Sequence, residues 1–175
     1  MAKQVMHRQA ADNVYLHKDF HAALSFALDY VEDRYGPQAV RDYLRQFAAA
    51  FYAPLTAALK SRGLVALQEH LQRIYQIEGG QASFEGTDDE LVVRVAACPA
   101  VQHIRTLGMP VARSFSETTR TVNQKICEGT PFAAELVEYD EQTGRSVQRF
   151  YRVKLRRRSA KGEIRPGERD STRRT

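Results

Sequence analysis

The chain has 175 residues, 43% of them hydrophobic, so it is long enough for one domain with a real core and short for two. It lacks the run of about 18 apolar residues that a membrane-spanning helix needs, and residues 1–20 lack the apolar centre of a signal peptide. Its two cysteines do not form the framework of a small secreted disulfide protein. We therefore expect a cytoplasmic protein with reduced cysteines and no membrane partner.

The formal net charge of +5 is concentrated at the C-terminus. Residues 154–175 contain nine lysines and arginines and three acids, so residues 1–153 are nearly neutral. Such a tail could bind a polyanion, but it has too few apolar residues to fold. We interpret it as a disordered terminus, and nucleic acid is an expected partner only through it. The predicted organisation is a flexible segment at 1–13, a single α+β domain at 14–154 and a basic, disordered tail at 155–175.

The first half of the chain has apolar residues at helical spacing. In the first helix the predicted apolar face includes Phe20 and Ala27. Gly36 ends that helix and the following proline begins the next. Pro54 lies inside the second helix, which predicts a kink or break near Phe51. The predicted helices are His17–Tyr35, Pro37–Arg62 and Leu64–Ile77.

After Gly80 the apolar period changes from about 3.6 to 2, which indicates strands. Two hairpins are predicted, one on each side of a pair of helices. Together they indicate an α+β fold, with the N-terminal helices packed on a four-stranded antiparallel sheet. The predicted hairpin strands are Ala82–Glu85 with Leu91–Ala97 and Ala133–Tyr139 with Ser146–Val153, and the helices between them are Pro99–Leu107 and Glu117–Cys127.

Cys98 is the strongest candidate functional residue. It follows the β-branched run "LVVRVAA" and precedes Pro99, which disfavours helix for the residue before it and suits the first turn of a helix. Cys98 is therefore expected to be extended, at a corner between a strand and a helix. The positive end of a helix can lower a thiol pKa, and its free N–H groups can bind an anion.

A thiol-based site needs a base and a substrate pocket. We assign Cys98 as nucleophile or polar anchor, His103 as acid or base and Glu128 as orienting carboxylate. Cys127, Asn123 and Phe51 are the expected substrate-binding residues. The competing interpretation is that both cysteines are structural and that His103 lies on the surface.

Other site chemistry is weakly supported by the sequence. His17 and His21 are spaced as helical metal ligands, but the sequence lacks paired zinc-ligand motifs and a phosphate-binding loop, so neither metal nor cofactor is expected. Aromatic residues crowd the first two helices and could line an apolar ligand pocket or simply form core. These are Tyr30, Tyr43, Phe47, Phe51 and Tyr52.

The Cys98-Pro99 corner, preceded by three helices and followed by "GTPFAAELVEYDEQTGRSVQRFYRV", resembles the L-2-amino-thiazoline-4-carboxylate hydrolase family. The resemblance covers roughly Tyr15–Val153 and implies hydrolysis of a small ring containing sulfur and nitrogen. Further cysteines of that family would fall near Phe115 and Arg149, where this chain departs from the pattern.

The element order also resembles a broader ligand-sensing fold, shared by vinyl-reductase-type sensor domains and vesicle-transport subunits. That resemblance implies a small or lipid-like ligand in an apolar pocket, or a homodimer formed through helices. Two hypotheses follow. The protein is a hydrolase of a small heterocyclic or amide-like substrate, or it is a sensor-type module that holds a small molecule, without turnover, in a pocket between helices and sheet.

Overall fold

A computed structural model describes residues 19–153, so the predicted flexible segment at 1–13, His17 and the basic tail at 155–175 lie outside the described residues. No helix in this range is long and apolar enough to cross a membrane. The helices are α1 (Asp19–Tyr35), α2 (Pro37–Phe51), α3 (Ala53–Arg62), α4 (Leu64–Glu78), α5 (Pro99–Thr106) and α6 (Glu117–Cys127). The strands are β1 (Gln81–Gly86), β2 (Glu90–Ala97), β3 (Phe132–Tyr139) and β4 (Ser146–Arg152).

The break predicted near Phe51 is confirmed, and it separates α2 from α3 at Tyr52. The Tyr52 N–H still donates to the carbonyl of Ala48 at 3.0 Å, so α2 ends with a normal helical bond. Pro54 stands in the first turn of α3, where its missing N–H costs no helical hydrogen bond. The break places the Tyr52 ring at the junction between the two helices.

The four strands form one antiparallel sheet in the order β1-β2-β4-β3, so the two predicted hairpins join through β2 and β4. This confirms the α+β prediction. Leu91 pairs with Phe150 and Val93 with Gln148, and all four side chains are buried on the same face. A register shift at Val137 adds one residue to β3 and leaves that side chain exposed. The opposite face of the sheet is largely exposed, with Arg94 and Arg149 on it.

The helices cover the buried face of the sheet in two tiers. α4 contacts β1 and β2, and α6 contacts β3. α2 packs on α6, while α1 packs on α2 and α5. The predicted apolar face of α1 is partly wrong, because Ala27 is exposed and Phe20 is only partly covered. Instead Ser25 is buried, and its hydroxyl accepts a hydrogen bond from the Ala112 N–H at 2.8 Å. The side of α1 that carries Ser25 therefore faces the interior.

Candidate functional site

Cys98 stands where β2 ends and α5 begins, as predicted. Its backbone is extended, with φ −75° and ψ 120°, and its carbonyl accepts the first helical bond from Gln102 at 3.0 Å. Its N–H donates to the carbonyl of Thr143 in the loop between β3 and β4, also at 3.0 Å. Gly144 in that loop is buried against the Cys98 side chain. The second hairpin therefore fixes the position of the thiol.

The Cys98 side chain lines a cavity of about 220 Å³ that lies among the helices. This cavity does not lie between helices and sheet, since none of its described lining residues belongs to a strand. Cys98, Pro99 and Ala100 form one wall. The other described lining residues are Phe20, His21 and Leu24 from α1; Leu44, Phe47 and Phe51 from α2; Tyr52 at the α2–α3 break; Leu71, Ile74, Tyr75 and Glu78 from α4; Phe115 before α6; and Thr118 and Val122 from α6.

Three aromatic rings at the α2–α3 break form a second wall of this cavity. The rings of Phe47 and Phe51 stack at a centroid distance of 5.3 Å, and Tyr52 meets both edge-on, at 6.1 and 5.0 Å. Phe51 thus lines the pocket, in line with its predicted place. Tyr30 and Tyr43 do not line it and are exposed. Part of the aromatic cluster read from the sequence is therefore a pocket wall, and part is surface.

Glu78 and His21 are the charged or chargeable lining residues besides the thiol and the phenols. The His21 Nε2 atom lies 3.5 Å from Glu78 Oε1, and their side chains are 21% and 13% exposed. Glu78 is the last residue of α4, where the helix dipole disfavours a carboxylate. The sequence reasoning missed it. The sequence contains one sign of it, which is that Glu78 lies at helical spacing from Leu71, Ile74 and Tyr75 and so on the same face of the helix.

The prediction that the corner lowers the thiol pKa is wrong. Burial raises the pKa of Cys98 above its ordinary value, and nearby Glu78 adds to the rise. The backbone N–H groups of Val101 and Ala100 favour the thiolate and offset part of this effect on the pKa. Because these N–H groups already face the sulfur, they are not open to a separate anion as expected. Cys98 is therefore a protonated thiol at neutral pH.

His103, Glu128 and Cys127 are not among the residues that line the cavity. His103 lies on α5 and is half-buried. Glu128 is exposed, and its carboxylate pairs with Lys125 at 3.2 Å and Arg45 at 2.5 Å, which lowers its pKa. Cys127 is buried, and burial raises its pKa to about 12. The structure therefore does not bring the predicted catalytic residues together.

Asn123 also lies outside the cavity, but hydrogen bonds connect it to the cavity wall. Its Nδ2 donates to Gln148 Oε1 at 2.9 Å, and Gln148 Nε2 donates to Ser146 at 3.2 Å and to the Tyr75 hydroxyl at 3.5 Å. Gln148 is 4% exposed, so these bonds satisfy a buried amide. Burial raises the Tyr75 pKa, so the phenol stays protonated beside the thiol. Asn123 thus supports a lining residue.

The sequence matches no family model and no curated protein. The residues of the site therefore carry the functional argument alone. Within 19–153, no three histidine, cysteine or acidic side chains are grouped closely enough to hold a metal ion.

Two larger depressions lie elsewhere on the described surface. One, of about 640 Å³, follows the exposed face of the sheet beside Arg94 and Arg145. The other, of about 510 Å³, lies between α3, α4 and the first hairpin, with Arg62 and Arg152 at its edge. Both have several charged side chains among their described lining residues, whereas the helical cavity is lined mostly by aromatic and aliphatic side chains. Ligand sites bury most of their ligand in apolar surroundings, so the smaller cavity is the better candidate.

Proposed function

We propose that this protein binds a small, mainly apolar molecule in the cavity among α1, α2, α4 and α6. The observation that supports the proposal is the lining itself, in which aromatic and aliphatic side chains outnumber a few polar groups. Binding sites for small molecules have this composition, because apolar area provides affinity and a few polar groups fix orientation. At about 220 Å³ the cavity is smaller than the roughly 300–1,000 Å³ of drug-sized sites, so the ligand is small.

Binding without turnover fits the state of the thiol. A catalytic cysteine reacts as the thiolate, whereas burial raises the pKa of Cys98 and keeps the thiol neutral. In this proposal Cys98 and Tyr75 are polar anchors inside an otherwise apolar wall. Phe47, Phe51 and Tyr52 provide the flat surface against which a ring or chain packs.

The test is a titration with benzyl alcohol, in which binding is measured by calorimetry. Val122→Phe adds a ring inside the cavity, where Val122 is only 6% exposed, and should abolish binding. Val147→Phe is the matched control, because Val147 lines the groove on the outer face of the sheet. If Val122→Phe still binds benzyl alcohol and Val147→Phe does not, the binding site lies on the outer face of the sheet and the proposal is rejected.

A second candidate function is hydrolysis of a small heterocyclic or amide-like substrate that contains sulfur and nitrogen. The observation that favours it is that Cys98, His21 and Glu78 line the same cavity, so a base is available near a thiol. The Cys98 proton would pass to the imidazole of His21 as the sulfur bonds to the substrate carbon. In an amide-like substrate the carbon–nitrogen bond then breaks, the leaving nitrogen takes the proton, and water hydrolyses the resulting thioester to an acid and the free thiol. In a 2-amino-thiazoline ring the leaving ring nitrogen takes a second proton from the 2-amino group, and water then releases the Cys98 thiol and leaves a carbamoyl product.

Turnover of L-2-amino-thiazoline-4-carboxylate by the full chain and by Cys98→Ser tests this candidate. The hydrolase hypothesis predicts activity that Cys98→Ser abolishes while the fold persists. Turnover that is unchanged in Cys98→Ser would remove Cys98 from the mechanism, and binding without turnover would leave the first proposal in place.

A further inference from the structure

Among residues 19–153, Glu78 is the one acidic side chain that lines the helical cavity, and no lysine or arginine of this range lines it. Its side chain is 13% exposed, which is costly for a carboxylate unless a positive group compensates it. Its position at the C-terminal end of α4 adds to that cost, because the helix dipole is negative there. A nearby cation would therefore stabilise the Glu78 carboxylate in this position.

The charge of Glu78 reaches into the cavity and acts on several groups there. It contributes to the raised pKa of Tyr52, Tyr75 and Cys98, so these three lining groups all lie within its electrostatic range. Each of them is neutral when protonated, and therefore none supplies positive charge. Among the described lining residues, His21 is therefore the one side chain that can offer Glu78 a positive charge.

The ion-pair partner of Glu78 in the structure is His21, at 3.5 Å. An imidazole is a cation only when it is protonated, whereas an aliphatic amine or an amidine remains charged across the physiological range. A ligand that brings its own cation would therefore form the stronger pair. The rings of Phe47, Phe51 and Tyr52 lie along the same cavity, and aromatic faces also attract cations.

We propose that the ligand carries a cationic nitrogen, an amine or an amidine, which binds the Glu78 carboxylate while its apolar part packs against the aromatic wall. This inference rests on the proposed function, since it names the ligand class of the same cavity. The Tyr75 hydroxyl and the Cys98 thiol line the same cavity and lie within electrostatic range of this carboxylate. Gln148 holds Tyr75 in place through its side-chain amide.

The experiment compares benzylamine with benzyl alcohol, two probes of nearly equal size and shape, at about pH 7, where the amine is protonated. The wild-type chain should bind benzylamine about tenfold or more tightly than benzyl alcohol, because a buried charged hydrogen bond adds to the shared apolar contact. Glu78→Gln should remove that preference, so that the ratio of the two affinities falls to within about threefold of one. Glu69→Gln is the matched control, because Glu69 is an exposed acid on the same helix, paired with Arg62 at 2.7 Å.

The wild-type comparison stands even if Glu78→Gln fails to fold. Benzyl alcohol that binds as tightly as benzylamine would overturn the cation proposal and leave the cavity as a neutral-ligand site. A preference for benzylamine that Glu69→Gln removes as fully as Glu78→Gln would overturn it as well, because the effect would then reflect overall charge. If neither probe binds, the proposed function fails, and the inference fails with it.

Discussion

Gly144 should be among the most sensitive positions in the chain, because the second hairpin holds the Cys98 corner through it. Its φ of +68° lies in the left-handed region, where an alanine costs about 1–2 kcal/mol. A Cβ placed there would lie 2.4 Å from Cys98 Cβ and 2.9 Å from Val101 Cγ2. Neither neighbour is the end of a flexible side chain, so relief requires a shift of the hairpin or of α5. Overpacking of this kind costs about 1–3 kcal/mol more.

Gly108→Ala is the matched control for Gly144→Ala. Gly108 has the same φ of +68° but has no atom within 4 Å of the added Cβ, so its variant carries the backbone strain alone. Urea denaturation of both variants should show Gly144→Ala less stable than Gly108→Ala by about 1–3 kcal/mol. Equal losses of unfolding free energy would refute the close approach of the hairpin to Cys98, and with it the argument that the hairpin positions the thiol.

Four further predictions concern the two thiols, Glu128 and the tail. Both thiols should react slowly with iodoacetamide at neutral pH, since burial raises the pKa of each; a single fast-reacting cysteine would contradict this. The stability contributed by protonated Cys127 is complete below its ordinary pKa near 9 and is lost as the pH rises toward about 12, so Cys127→Ala should flatten the fall in unfolding free energy measured by urea over that range. Glu128→Gln should leave benzylamine affinity unchanged in calorimetry, because Glu128 is exposed and outside the cavity; a marked loss would return it to the site. Deletion of residues 159–175 should leave the melting temperature nearly unchanged, and a fall of more than several degrees would show that the tail docks.

Local chemistry explains why most of the fold could be predicted from the sequence. Pro37 and Pro54 fix helix starts, and glycines with positive φ, such as Gly36 and Gly63, stand between consecutive helices. The strands follow from alternating burial, which the structure reproduces in β2 and β4. The side of α1 that faces the core is harder to predict, because a serine is not an expected residue on the buried side of a helix. Its partner, the Ala112 N–H, lies 87 positions along the chain.

The candidate site could be predicted only in part, because the cavity is assembled from distant segments. Cys98 and Phe51 were found through a strand-helix corner and a local aromatic cluster. His103 follows Cys98 by five residues, about one and a half helical turns, so it need not face Cys98, and it does not line the cavity. Glu78 comes to Cys98 from another helix, and the only local sign of it was a charge at an apolar helical position.

The most direct test of the central claim is a nuclear magnetic resonance titration of the full chain with benzylamine, in which the backbone amide shifts are mapped. The account predicts that the largest shifts come from the residues around the helical cavity, above all Tyr52, Glu78 and Ala100. Glu78→Gln should weaken the response without moving it elsewhere. Largest shifts at Arg94, Ser146 and Val147, in the groove on the outer face of the sheet, would contradict the account.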